Sequence, residues 1–361
     1  MLLQQFEESI LKNVALAPLT TLGIGGRARY FAEVTSTGAL AAGVEWARSQ
    51  DVALFVLGGG SNIVVADSGF SGMVLRVSIQ GVETRIEGDH VVVKAAAGEE
   101  WDSLVSHCVT NGWAGFECLS GIPGRVGATP IQNVGAYGQD TSETLSSVEA
   151  LDLSSGKLVE LSAADCEFGY RTSRFKTRDR GRFVITRATY RLAHGGDATI
   201  RYPELQRYLA DRNLEAPTLS DVRQAVLTLR SRKAMVIDSN DINSRSVGSF
   251  FVNPTVTREE FERINHRANR SVSGGESLPA FPASDGMVKL SAAWLIERAG
   301  IKRGYIHGNV GTSTKHALAI INRGGGTARE VVELKDLIQK RVSDEFGIEL
   351  TPEPVLVGFE Q

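Results

Sequence analysis

The sequence predicts an α+β protein, and three observations carry that expectation. The first third of the 361 residues alternates β-rich runs with helix-spaced apolar runs. Two further runs, Val148 to Leu153 and Lys157 to Leu161, are joined by Ser154-Ser155-Gly156, a hairpin signal. Beyond a polar glycine break at Ala193-His194-Gly195-Gly196-Asp197, where a first domain is expected to close, helix signals dominate. At roughly 150 residues per domain, the length suits two or three domains.

Taken in order, Arg27 to Val34 alternates and is rich in β formers. Ser36 to Ser49 spaces Leu40, Val44 and Ala47 helically behind a Thr35/Ser36 cap. Ala53 to Leu57 reads as a short buried strand that runs into Gly58-Gly59-Gly60-Ser61-Asn62. Met73 to Val77, Val82 to Ile86 and His90 to Ala96 read as strands, followed by a helix from about Glu99 to Asn111. Ser162-Ala-Ala-Asp165 resembles a helix-start box, and Arg182 to Leu192 is another strand. Ser220 is read as capping a helix with Val222, Ala225, Val226 and Leu229 on one face. Thr257 to Arg270, Ser291 to Ala299 (stopped by Gly300) and Thr327 to Phe346 (stopped by Gly347) are further helices. Gly274-Gly275 and Gly324-Gly325-Gly326 are turns. A last strand, about Leu350 to Phe359, contains Pro352 and Pro354, so it must lie at an edge or start late.

Composition narrows the function. The chain is 42% hydrophobic and 22% charged with a net charge of −3, so no basic footprint points to nucleic acid or an anionic membrane. No apolar run of 18 residues occurs, which argues against a membrane helix. The N-terminal Met-Leu-Leu-Gln-Gln-Phe-Glu-Glu lacks the basic start and apolar run of a signal peptide. Cys108, Cys118 and Cys166 are widely spaced with no C-x-x-C, which suits a reducing cytoplasm and neither a disulfide framework nor zinc. The six histidines form no H-x-x-H pair, so no metal is expected.

Residues 120 to 138 carry the strongest signal. Five glycines and two prolines fall in this stretch, more than any helix or central strand tolerates. Ile122, Val126, Ile131, Val134 and Tyr137 recur through it, which argues for an ordered loop. Such a backbone can approach something flat or anionic with its amides as ligands. Gly58-Gly59-Gly60 can form a nest for phosphate oxygens, with Ser61 and Asn62 as side-chain donors, although taken alone a tight turn serves as well. Paired with the second loop, a dinucleotide pyrophosphate becomes the better reading.

Other patterns are decoys or open. Gly23-Ile-Gly25-Gly26-Arg-Ala28 matches a loose dinucleotide fingerprint, but a strand-like run follows where a helix is required. The Walker pattern is absent, which argues against a nucleotide hydrolase. Ser249, in Val247-Gly-Ser-Phe-Phe-Val-Asn-Pro254, is no nucleophile elbow; it is either a strand serine bonded to backbone or a hydroxyl held for chemistry between aromatic walls. Arg171 sits among basic neighbours, ordinarily a solvated face. Glu353, between two prolines, is held rigidly.

The motifs then combine. Leu57-Gly-Gly-Gly-Ser-Asn-Ile, Gly121-Ile-Pro-Gly, Pro130-Ile-Gln-Asn-Val-Gly-Ala-Tyr-Gly138, Phe168-Gly-Tyr-Arg171, Gly248-Ser249-Phe-Phe and Pro352-Glu353 occur in one order. From about Leu19 to Gly358 the chain resembles the UDP-N-acetylenolpyruvoylglucosamine reductase family, flavoenzymes of peptidoglycan precursor synthesis. The resemblance implies a two-lobed FAD-binding domain of the vanillyl-alcohol-oxidase type and a smaller α+β substrate-binding domain. The expected segments are 1–66 and 67–218 for the two lobes, 219–348 for substrate binding, and 349–361 for a strand returning to the active-site interface. It also implies a cytoplasmic enzyme that uses NADPH and FAD to reduce the enolpyruvyl ether of UDP-N-acetylglucosamine enolpyruvate. Carried over by motif, Arg171, Ser249 and Glu353 are catalytic, with Ser249 as proton donor. Gly58, Gly59, Gly60, Ser61, Asn62, Thr129, Gln132, Gly135, Ala136 and Tyr137 would meet FAD. Tyr202 and Lys233 would face the substrate diphosphate, and Asn253 the nucleotide end. Tyr202, in Arg201-Tyr-Pro-Glu-Leu, resembles the tyrosine loop of the longer subclass.

Four positions depart from the family pattern: Val252 where lysine is common, His316 where glutamine is, Leu22 for phenylalanine, and Pro354 for valine. They put individual UDP contacts in doubt. Two alternatives stay open: an FAD oxidase that uses oxygen, and a catalytically silent UDP-sugar-binding module.

Overall fold

The structure, a computed structural model, describes residues 2–270 and 277–359. It divides into two compact units drawn from interleaved parts of the chain. One comprises residues 1–14, 28–60 and 70–236; the other comprises 15–27, 61–69 and 237–361.

Two larger sheets build the first unit. In the smaller, the strands run in the order Leu11–Ala15, Arg27–Val34, Phe70–Val77, Leu54–Leu57, with Phe70–Val77 parallel to both Arg27–Val34 and Leu54–Leu57. Helix Thr37–Ser49 lays Leu40, Val44 and Ala47 on this sheet, and the Ser36 hydroxyl accepts the Ala39 amide as its N-cap. The larger sheet is antiparallel, in the order Lys157–Ser162, Leu145–Asp152, Phe183–His194, His90–Ala96, Val82–Glu87. The hairpin around Ser154-Ser155-Gly156 is thus as expected. Helix Trp101–Thr110 closes this sheet's core, burying Trp101 against Phe116 and Tyr190.

A third cluster in this unit joins helix Pro203–Ala210 to helix Leu219–Arg232 through Leu205, Leu209, Val222, Val226 and Leu229. Cys118 belongs to this cluster and Tyr137 of the glycine loop packs against it, so residues 219–236 fall here. The first unit therefore neither closes near residue 195 nor ends at 218. The cap of the second helix also differs from expectation. Thr218 and Asp221 form the reciprocal box, leaving Ser220 inside the first turn. The Ser162/Asp165 box does form, yet only the single turn Ala164–Cys166 follows.

The second unit is organised by helix Ala328–Phe346. Val331, Leu334, Ile338 and Val342 meet Phe250, Phe251, Leu290, Leu295 and Ile320 in one core, joined by Leu22, Ile24 and Val64 from the early segments. Thr327 and Glu330 cap the helix start, and Gly347 ends it with φ of 70°. The last strand starts after its prolines, as their missing donors require. Val355–Val357 pairs in parallel with Ile63–Val65. The expected turn at Gly274-Gly275 lies outside the described residues. Among the described residues, no helix is long and apolar enough to cross a membrane.

Candidate active site

In the first unit, two glycine turns meet backbone to backbone. A Cβ added at Gly59 would come 2.8 Å from the Gly124 Cα, so only hydrogen lets the 58–60 and 121–124 turns touch. Side-chain-free walls of this kind suit the pyrophosphate of a dinucleotide, whose oxygens need amide donors at close range. The loop is pinned from below. Arg125 donates through Nη1 to the Val77 carbonyl and the Ser78 hydroxyl, both at 3.0 Å. Asp102 accepts the Gly121 amide at 2.6 Å while gripping Arg223 bidentately at 2.6 and 2.8 Å. Thr129 is buried, donates to the Val126 carbonyl at 2.9 Å and pairs with the Tyr190 hydroxyl at 2.8 Å, so its side chain is occupied in shaping the loop. These features fit an FAD cradle.

The loop's far end forms a tight hairpin in which Gly135-Ala136 pairs with Gln139-Asp140. Tyr137 and Gly138, with φ of 48° and 86°, make its tip. The hairpin sets Asp140 opposite Gly135 and builds the seat of Arg171. The Arg171 Nη1 donates to the Asp140 carboxylate at 3.1 Å and to the Asn133 carbonyl at 3.2 Å, and its Nη2 donates to the Gly135 carbonyl. Arg171 itself has a φ of 55° and lies over the Tyr170 ring, 5.2 Å from its centroid. Any side chain at Gly135 would overlap the Asp140 carboxylate and come 2.8 Å from the Arg171 Nη1. Arg171 is therefore a fixed cation, not a solvated one. Asp140 was not foreseen; reading Tyr137-Gly138 as a hairpin tip would have found it.

Tyr137, Tyr202 and Lys233 come together in the same unit. The two rings meet edge to face with centroids 5.3 Å apart, and the Lys233 Nζ lies 5.8 Å from the Tyr137 centroid. Lys233 is also ion-paired to Glu204 at 2.6 Å, a partner sequence reasoning missed. Burial first, then the Glu204 charge, raises the pKa of both phenols, keeping them protonated. Arg230, one turn before Lys233, donates to the Met235 carbonyl at 2.8 Å, and burial draws its pKa down to about 10.

In the second unit, Ser249 follows Gly248, whose φ is 77°, and begins a strip locked on both sides. Phe250 donates to the Leu318 carbonyl at 2.8 Å and accepts the Glu353 amide at 2.9 Å. Val252 donates to the Thr351 carbonyl at 3.0 Å, and Phe251 bridges Pro352. Phe250 and Phe251 are fully buried, which fixes the half-buried Ser249 beside them. Its Oγ lies 3.5 Å from the His316 Nε2. Asn62 reaches the same place, its amide donating to the Glu353 carbonyl at 3.4 Å. Asn253 spends its side-chain oxygen on the Ala292 amide at 2.9 Å, helping to start helix Ala292–Arg298. The structure thus joins Ser249, Glu353 and Asn62 in one unit, and Arg171, Tyr137, Tyr202 and Lys233 in the other. Ser61 lies in the second unit and Gln132 and Ala136 in the first, each half-buried.

Comparison with known proteins gives one answer from three directions. Residues 240–357 match the family described as UDP-N-acetylenolpyruvoylglucosamine reductase, C-terminal domain, and residues 28–162 match an FAD binding domain. Proteins named UDP-N-acetylenolpyruvoylglucosamine reductase from Thermobifida fusca and Streptomyces coelicolor are 48% and 44% identical to this chain. The matches cover 97% and 96% of this chain and 98% and 90% of theirs. The solved structure of the reductase of that name from Thermus caldophilus shares the fold, with a TM-score of 0.63 at 23% identity over 96% of this chain and 98% of its own.

Proposed function

Since the chain belongs to the UDP-N-acetylenolpyruvoylglucosamine reductase family, we propose how its residues divide the work of the reaction. The activity is an FAD-dependent reduction in peptidoglycan precursor synthesis, converting UDP-N-acetylglucosamine enolpyruvate to UDP-N-acetylmuramate. FAD, when bound, would supply hydride chemistry, with NADPH as the source of reducing equivalents. The glycine turns at 58–60 and 121–124 would hold its pyrophosphate, and residues of the hairpin at 135–140 would help hold the rest of the cofactor.

Hydride addition leaves negative charge that spreads into the substrate carboxylate. Arg171 meets that charge. Its guanidinium is oriented in advance by Asp140 and the Gly135 carbonyl, so little reorganisation is needed. Ser249 then delivers the proton to the neighbouring carbon. A serine hydroxyl is a weak acid, adequate here because the receiving carbon is strongly basic. Glu353 holds the geometry of this end, and Tyr202 and Lys233 take the diphosphate. With its nucleotide-linked substrate and three buried, unbridged cysteines, the enzyme works in the cytoplasm.

The observation that supports this most is the pairing of Phe250 with Glu353, which sets two motif residues from distant parts of the chain on adjacent segments. The test is spectroscopic. The purified protein should be yellow, bleach with NADPH under anaerobic conditions, and regain its colour on adding the UDP-sugar. Rapid recovery of colour in air without the sugar would instead indicate an oxidase.

A further inference from the structure

Lys233 does not stand exposed to await an anion. Glu204, in the first turn of helix Pro203–Ala210, pairs with it at 2.6 Å, and both side chains are about a third exposed, at 31% and 35%. Tyr202 immediately precedes this helix, and its ring rests on Tyr137, the ring over which Lys233 also lies. Glu204 is thus the acidic member of a four-residue cluster whose other members the proposed function assigns to cofactor or diphosphate.

We propose that Glu204 is a built-in competitor for the diphosphate site, occupying Lys233 until the substrate's diphosphate displaces it. The proposal rests on Lys233 being a diphosphate ligand. A carboxylate presents the same kind of acceptor oxygens as a phosphate, at the same distance, with less charge. The dianionic diphosphate therefore wins the lysine when present, whereas neutral or singly charged sugars do not repay the loss of Glu204. Because the pair is partly solvated, its competition is modest and tunable.

The experiment measures dissociation constants of UDP-N-acetylglucosamine enolpyruvate from the oxidised, FAD-loaded protein, by perturbation of the flavin absorbance at low salt. Glu204→Gln, nearly the same shape without the charge, should bind about three- to tenfold more tightly than the parent. Glu204→Ala should change affinity in the same direction, showing that the new amide is not itself the ligand. Lys233→Ala should bind more weakly, and adding Glu204→Gln to it should change affinity less than about twofold. Unchanged or weaker binding by Glu204→Gln, with Lys233→Ala still weakened, overturns the competition alone. Equal tightening in both backgrounds overturns it too, since Glu204 would then act as a general surface charge. If Lys233→Ala binds as the parent does, the assignment of Lys233 fails first, and the competition with it.

Discussion

The Ser249 hydroxyl lies 3.5 Å from the His316 Nε2, in the same unit and beside the paired Phe250 and Glu353. In the tautomer that carries its proton on Nε2, His316 donates to this oxygen, which turns the hydroxyl hydrogen outward and favours its loss. Ser249→Ala should leave flavin reduction by NADPH intact and slow the second half-reaction on the order of 10² to 10⁴-fold, the range for a general acid. Stopped-flow absorbance separates the two. His316→Ala should slow the same half-reaction by less. Equal slowing of the NADPH step would remove Ser249 from the chemistry.

Arg171 depends on the hairpin that seats it. Arg171→Lys keeps the charge but loses the fork to Asp140 and the Gly135 carbonyl, so kcat should fall on the order of 10² to 10³-fold. Gly135→Ala should be comparably damaging, because its methyl group overlaps the Asp140 carboxylate. Asp140→Asn, which keeps the shape, should cost less. Steady-state kinetics with saturating NADPH would rank the three, and a Gly135→Ala enzyme as fast as the parent would contradict this packing.

Acid sensitivity should include a contribution from Asp102. Burial alone would raise its pKa, but the Arg223 guanidinium and the Gly121 amide outweigh burial and hold it below the ordinary 3.8. A carboxylate depressed in the folded state stabilises the fold above its unfolded value, and that stability drains away as pH falls through the lower folded value. Asp102→Asn should therefore lower the melting temperature at pH 7 and flatten its decline below pH 3.8. A parallel decline in parent and variant would show that Asp102 contributes nothing.

The thiols should be silent in the native protein. Burial pushes Cys108 and Cys166 up to about 12 and raises Cys118 as well. A disulfide reagent at pH 8 should find no thiol before guanidinium is added and three afterwards. Prompt reaction of one thiol in native protein would mean that its core opens readily.

Local signals were legible where one stretch of chain decides its own structure. Ser36, Thr327 and Gly347 mark helix ends through their own side chain or φ, and Pro352 and Pro354 delay the last strand through their missing donors. Helix Pro203–Ala210 was missed, since its eight residues carry only Leu205 and Leu209 as buried anchors, too few for a clear period. The family motifs brought Arg171, Tyr202 and Lys233 into view, but not the carboxylates that hold two of them. Asp140 and Glu204 act through a hairpin and a helix–helix contact that no motif states. At Thr129 and Asn253 the motif likewise gave no sign of the partners, Tyr190 and Ala292, that engage their side chains.

Val355–Val357 completes a ladder begun by Ile63–Val65, nearly three hundred residues earlier. During synthesis, residues 15–27 and 61–69 leave the ribosome long before the helix Ala328–Phe346 against which Leu22, Ile24 and Val64 pack. These early segments must wait, their apolar side chains uncovered, until that helix has been made. A gene cut between the two units would not yield two separable products, and termination before Val355 would leave the early strand Ile63–Val65 without its mate.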